Sequence, residues 1–411
     1  MQLAKSDFWE SGWVQSDEIK KMWAALWLVS LVWLVVVPAR ASDGDANRVA
    51  ALAGVQLTEM KPAADQYVQQ TEDGRTIVFT VDAKLQAFAN GLLERYRVPE
   101  GAVVLMNSRT GRVLALSQRY ARSQHLACSD VALNAEPPAA SIFKIITTAA
   151  LLESEAIQLD SKMCYHGGGQ SLQQCHLEDS REQDKACGTL ASALGHSTNA
   201  IFAKFSDRHL SPEQLLRTSE RFGFNRDIPF EIDVPISRFD MPTGRLERAR
   251  ASAGFWHSHI SPIHGALIAQ AIAQKGAMLR PYVVDHVQDA AGETIYRSSA
   301  KFWHRAVSRE VSEQLIAAMA RTVTHGTAKS AFYDKRGVPV VPTSVAGKTG
   351  TLNGANPFRA YTWFVGLAPV ENPEVAISVL IANDPEWHIK ASWTAAQVLR
   401  KYFELKKVKS S

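Results

Sequence analysis

The residue pattern predicts an α/β (α+β) fold: one antiparallel five-stranded sheet flanked by helices, with an all-helical lobe inserted between an N-terminal hairpin and three C-terminal strands. Three observations carry this expectation. β-rich runs gather towards both ends of the chain, helical periodicity fills the middle, and no internal repeat breaks the order. At 411 residues, 46% hydrophobic and 21% charged, the chain is long enough for two or three average domains or for one large α/β domain. The formal charge of +4 is small, and Lys and Arg are not clustered with stacking aromatics, which excludes a nucleic-acid partner.

Taken in order, residues 1–42 read as a signal peptide or a membrane anchor. Lys20-Lys21 precede an apolar run from Met22 to Val37, and Ala39-Arg40-Ala41 offers small residues suited to cleavage. The same run sits at the short edge of the ~17–25 residues that span a bilayer. Either reading takes the body of the chain out of the cytoplasm. Residues 43–75 are polar, lack periodicity and read as a linker. Order begins at the strand-like run Thr76–Thr80 and a helix from Asp82, with Leu85, Phe88, Leu92 and Tyr96 on one face. Ala102–Met106 and Arg112–Leu116 read as a hairpin around Ser108-Arg109-Thr110-Gly111. In the middle, Ser141–Leu152 is apolar nearly all round and reads as a buried helix. Another helix runs from about Leu190 into Ala203, and a third has Ser211 as cap, Pro212 first and Gly223 just past its end. Helices over Pro262–Gln274 and Ser308–Val323 follow. The strands Ser344–Thr351, Tyr361–Leu367 and Val375–Ile381 and a helix from Ser392 close the fold, with 406–411 as a solvated tail.

The four cysteines, Cys128, Cys164, Cys175 and Cys187, form no CxxC pair, and an even number in an exported chain predicts two disulfides. Cys164 and Cys175 flank Gly167-Gly168-Gly169 and make the natural local pair, leaving Cys128 with Cys187; four buried free thiols are the alternative. His257, Ser258, His259 and His264 contain no HExxH, so no metal and no cofactor is expected.

Three short motifs carry chemistry. Ser141-Ile142-Phe143-Lys144 places a hydroxyl and an amine one helical turn apart, so a neutral lysine can take the serine's proton. Burial in the apolar helix favours the neutral amine. Alone the motif is weak, since Ser298-Ser299-Ala300-Lys301 repeats it in a polar stretch. Ser197-Thr198-Asn199, between two helical runs, offers a hydroxyl for proton relay and an amide for a substrate carbonyl. Lys348-Thr349-Gly350-Thr351 puts a cation and two hydroxyls on one strand, suited to a terminal carboxylate, with Gly350 allowing close backbone approach.

Ser-x-x-Lys, Ser-x-Asn and Lys-Thr-Gly in this order, separated by 56 and 151 residues, resemble the signature of penicillin-recognising serine enzymes. The likeness extends over roughly residues 76–405, through Thr80-Val81-Asp82, Phe222-Gly223-Phe224 and Trp363-Phe364-Val365-Gly366, and is similar to the transpeptidase domain of penicillin-binding proteins. It implies that Ser141 is the nucleophile and Lys144 the general base, with Ser197 and Asn199 assisting proton transfer and substrate binding. Lys348, Thr349 and Thr351 would hold the carboxylate, and the N–H groups of Ser141 and Thr351 would form the oxyanion hole. The implied reaction is D,D-transpeptidation of D-Ala-D-Ala stem peptides of peptidoglycan in the periplasm, with β-lactam antibiotics as acylating inhibitors. The implied partners are wall-synthesis complex proteins and, if the N-terminus is uncleaved, the inner membrane. D,D-carboxypeptidase, serine β-lactamase, or a non-enzymatic β-lactam sensor or scaffold are the alternatives. Where the family often has Gly-x-Gly near the site rim, this chain has Gly254-Phe255-Trp256. Neither a glycosyltransferase nor a pedestal domain is expected ahead of residue 76.

Overall fold

The computed structural model describes residues 43–121, 130–169, 171–355 and 358–410. The expected signal peptide or anchor, including 22–37, and Cys128 lie outside these residues. Among the described residues no helix is long and apolar enough to cross a membrane.

The central sheet has five antiparallel strands: β1 Glu100–Asn107, β2 Val113–Tyr120, β3 Ala346–Ala355, β4 Phe358–Ala368 and β5 Val375–Asn383. Their spatial order is β3-β4-β5-β1-β2, so the N-terminal hairpin joins the C-terminal strands through the β5–β1 pair, with Leu380 opposite Ala102. Alternation decides which face each side chain serves. Ala102, Val104 and Met106 of β1 join one core, whereas Val103 and Leu105 join the other. Helix α4 (Pro262–Ala273) covers the first face, buried along its whole length. Helices α1 (Ala83–Arg95) and α6 (Ala391–Ser410) cover the second. Cover on both faces explains why β5 is a continuous buried run rather than an alternating one.

The helical lobe holds α2 (Lys144–Glu153), α3 (Asn199–His209) and α5 (Arg309–Thr324), with Leu190–His196 and Pro212–Arg221 between them. The expected cap at Ser211 is present, and Asp82, Ser261 and Ser308 likewise each accept a backbone N–H of the first turn. The helix expected from Leu190 into Ala203 is instead two. Ser197 takes a left-handed backbone, φ 59°, closing Leu190–His196 before α3 starts at Asn199.

Three further expectations need correction. Within the segment expected to be a linker, Asp43–Leu52 is a helix, and Lys61–Ala63 and Gln66–Gln70 are strands. These strands join Thr76–Phe79, Val284–Gln288 and Thr294–Arg297 in a second five-stranded sheet. The strands are short and largely exposed, so their glutamines hide the period-2 signal. Helix α6 runs on to Ser410, so the expected tail is its last turns.

The third correction concerns the cysteines. Among the described residues the disulfide joins Cys164 to Cys187, and Cys175 is a free, exposed thiol. Strands Lys162–Tyr165 and Ala186–Thr189 pair antiparallel with these two cysteines directly opposite, Cα atoms 4.0 Å apart. Cross-strand register, not closeness in sequence, selects the partner.

Beside this ribbon, Lys204 of α3 is fully buried, 2.9 Å from Asp184 Oδ2 and 3.2 Å from Asp179 Oδ1, and donates to Cys164 O at 3.0 Å. Lys204→Met leaves Asp184 buried without its cation. Chemical denaturation is expected to show a loss of about 3–5 kcal/mol; an unchanged midpoint would mean that the pair contributes nothing.

Candidate active site

Ser141 lies in a single 3-10 turn, Ala140–Phe143, that leads into α2 at Lys144; the regular helix therefore starts three residues later than the sequence suggests. Ala140 has φ 50°, a left-handed conformation that costs a residue with a side chain about 1–3 kcal/mol. Packing fixes this turn from several sides. Trp363 Nε1 donates to Pro138 O at 2.9 Å, Ala139 N donates to Ser258 O at 2.8 Å, and the Phe143 ring packs on Phe224 and Phe239. Gly254, with φ 82°, lies so close that a Cβ there would sit 2.2 Å from Ala140 O.

Lys144 is fully buried. Its Nζ lies 2.8 Å from Ser141 Oγ, 2.7 Å from Asn199 Oδ1 and 2.6 Å from Ala253 O. The last two oxygens can only accept, so Nζ donates to both. A neutral amine has two N–H bonds and one lone pair. With both N–H bonds engaged, the lone pair is left for the Ser141 hydroxyl. Burial first, and then the charge of Lys348, push the Lys144 pKa well below that of an ordinary lysine. The amine is thus held as a proton acceptor beside the Ser141 hydroxyl.

Asn199 is clamped from its other end, where Nδ2 donates to Gly169 O at 2.6 Å. Ser197 sits half-buried in the break between two helices. Strand β3 is an edge of the sheet, and its alternation divides the third motif. Lys348 is fully buried, its Nζ donating to Thr349 O at 2.8 Å, and burial lowers its pKa to about 7. Gly350 packs over Ile142 and Trp363. Thr351 is exposed and lines a cavity of about 500 Å³ with Ser141, Gly169, Asn199, Gly254 and Trp256. The Thr349 hydroxyl bonds that of Thr327.

Ser141, Lys144 and Asn199 thus form one bonded set facing Thr351. Lys348 stands behind the wall of the cavity rather than in it. Sequence patterns missed Ala253 and Gly169, which act through backbone carbonyls and carry no side-chain signal. They also missed Thr327, an unremarked hydroxyl just past α5. The second Ser-x-x-Lys, Ser298 to Lys301, lies between two short strands, as its polar context suggests. The three histidines face different partners: His257 meets Glu247, His259 Nδ1 meets Glu136 O, and His264 Nε2 meets Phe222 O.

A serine held by a buried lysine, with an amide and a Lys-Thr-Gly-Thr edge strand around one cleft, defines the class of penicillin-recognising serine proteins. The chain belongs to the penicillin-binding protein transpeptidase domain family, whose profile matches residues 101–404. It is 25% identical over 363 residues to stage V sporulation protein D of Bacillus subtilis, covering 82% of this chain and 54% of that protein. It is 26% identical over 354 residues to the peptidoglycan D,D-transpeptidase PbpA of Mycobacterium tuberculosis, covering 78% of this chain and 70% of that protein. The chain therefore spans about half the length of the sporulation protein. Among solved structures, the D,D-transpeptidase domain of a peptidoglycan glycosyltransferase from Eggerthella lenta superposes with a TM-score of 0.68 at 26% identity, covering 81% of this chain and 84% of that one. The fold is also that of penicillin-binding protein A from M. tuberculosis in its penicillin G acyl-enzyme complex, with a TM-score of 0.64 at 22% identity and 80% of each chain covered.

Two outcomes follow from this geometry. Gly254→Ala forces the Ser141 turn to shift, and a displacement near 1 Å costs about 10²-fold in rate; stopped-flow acylation by labelled penicillin measures it, and a wild-type rate contradicts the packing argument. Lys348 titrates at about 7 in the folded chain and near 10.5 unfolded, so the unfolded state binds more protons between these values. Its contribution to stability therefore rises with pH across that window and is lost as pH falls towards 7. Lys348→Met is expected to unfold at a higher temperature than wild type at pH 7, by about 1–4 kcal/mol equivalent, with the gap closing towards pH 10.

Proposed function

We propose that the chain is a serine D,D-transpeptidase acting on D-Ala-D-Ala stem peptides of peptidoglycan through an acyl-Ser141 intermediate, and that β-lactams acylate the same residue. The observation that carries this is the Lys144 lone pair left for the Ser141 hydroxyl by two fixed acceptors. As Oγ attacks the carbonyl carbon of the penultimate D-alanine, its proton passes to Lys144 Nζ. The tetrahedral oxyanion is assigned to the N–H groups of Ser141 and Thr351, and α2 adds the positive end of its dipole nearby. Thr349 and Thr351 offer hydroxyls to the terminal carboxylate. Lys348 contributes positive potential from behind the strand, a smaller role than direct contact. Collapse breaks the C–N bond, and the leaving amine takes its proton from Lys144 through the Ser197 hydroxyl. A second stem-peptide amine then attacks the ester and frees Ser141.

The Cys164–Cys187 disulfide supports placing the body in an oxidising compartment, the periplasm, either soluble or anchored by residues 22–37. Wall-synthesis proteins are the fitting partners. A scaffold needs no catalytic set, whereas here all three motifs are kept.

Intact mass after incubation with penicillin tests the reading. One adduct is expected on wild type and none on Ser141→Ala, while Lys144→Ala slows acylation by about 10²–10⁴. A labelled Ser141→Ala chain sinks the proposal. Release of D-alanine from a pentapeptide, with and without an amine acceptor, separates cross-linking from D,D-carboxypeptidation, and rapid loss of the adduct marks a β-lactamase.

A further inference from the structure

Outside the catalytic set, three metal-ligating side chains converge beside the Gly167-Gly168-Gly169 loop. One ligand atom each from His166, Cys175 and His176 lies within 4.8 Å of the others. The spacing, eight residues between His166 and the Cys175-His176 pair, matches neither CxxC nor HExxH, so sequence patterns do not flag it.

The environment of His166 is what singles out the cluster. Its Nδ1 lies 2.6 Å from Asp184 Oδ1. Asp184 Oδ2 in turn pairs with the buried Lys204 at 2.9 Å and accepts the Ser180 N–H at 3.0 Å. A carboxylate only accepts, so the His166 proton is fixed on Nδ1 and the Nε2 lone pair points away from it. Among the described residues that buried Nε2 has no hydrogen-bond partner. A buried orphan acceptor of this kind costs about 1–3 kcal/mol and calls for an explanation. The His176 ring meets the His166 ring edge-on at 5.5 Å, and Cys175 is a free thiol whose Sγ makes only a weak 3.8 Å contact with Gln173 Oε1.

We propose that His166, Cys175 and His176 form a zinc site, with Asp184 as the outer carboxylate that orients His166. Two imidazoles and a thiolate are a borderline-soft donor set that suits Zn²⁺ and leaves a fourth position for water or a substrate group. The carboxylate–histidine arrangement is the usual support of a ligating imidazole. On coordination the Cys175 S–H bond is exchanged for S–Zn and one proton leaves to solvent, with no change of oxidation state. His176 Nδ1 now accepts the Gln173 N–H at 3.1 Å. Gln173 is exposed, so water takes over that N–H when His176 turns to the metal.

The site has a direct line to the chemistry. His166 anchors the loop that ends at Gly169, whose carbonyl holds Asn199 Nδ2, and Asn199 Oδ1 holds Lys144. Zinc would tie this loop to the 174–177 turn and so brace Asn199. The proposal does not depend on which acyl acceptor the chain uses.

The test uses the full chain, purified, equilibrated with ZnSO₄ and dialysed, with metal content read by inductively coupled plasma mass spectrometry. About one zinc per chain is expected, and it is lost in His166→Ala and in Cys175→Ser, both still labelled at Ser141 by penicillin and therefore folded. Wild type holding no more zinc than these variants overturns the proposal. A variant that fails to fold is replaced by a measurement on wild type: Zn²⁺ should slow iodoacetamide alkylation of Cys175 at least about tenfold, and an unchanged rate overturns the proposal too. So does a peptide map placing Cys175 in a disulfide with Cys128, because a disulfide sulfur is no thiolate ligand. Zinc binding and penicillin labelling are read separately, so either can fail without the other.

Discussion

The structure turns on the burial of one amine. Lys144 surrenders its hydration, and in return the protein supplies two fixed acceptors, Asn199 Oδ1 and Ala253 O. Each comes from a different part of the chain, α3 and the end of the Arg245–Ser252 helix. A protonated Lys144 would also face Lys348, whose own side chain is buried. The site therefore stores electrostatic stress at its centre, and the cores on either side must outweigh it.

The rest of the fold positions other groups around that amine. Trp363 reaches from the central sheet to hold Pro138, and the strained Ala140 is trapped between that contact and Gly254. Strand β3 remains an edge, with one side paired to β4 and the other open beside the Ser141 turn. An edge strand is ordinarily a liability for aggregation. Here it supplies a backbone against which an extended peptide can align.

Much of this was legible beforehand because the signals were local. The helix cap at Ser211, the apolar runs of β4 and β5, and the motifs at Ser141, Ser197 and Lys348 each span only a few residues. What escaped depends on tertiary closure. The Cys164–Cys187 pairing is set by the register of two strands. The sheet strands at 61–70 are largely exposed and polar. Ala253 and Gly169 contribute carbonyl oxygens that every residue possesses. The burial of Lys348 behind its strand follows from packing that an isolated Lys-Thr-Gly cannot reveal. His166, Cys175 and His176 meet only because a glycine loop folds back on the following turn.

The β5–β1 pair joins residues 375–382 to residues 100–107. Contacts of such long separation are slow to form, since most of the chain must be ordered as a loop first. Until the last strand is in place, β1 has an open edge on that side, and the core beneath α4 and α6 lacks its middle. A ribosome thus handles a chain in which the cleft around Ser141 is not yet assembled. Its completion is in this sense a timed event, triggered by arrival of residues 346–383.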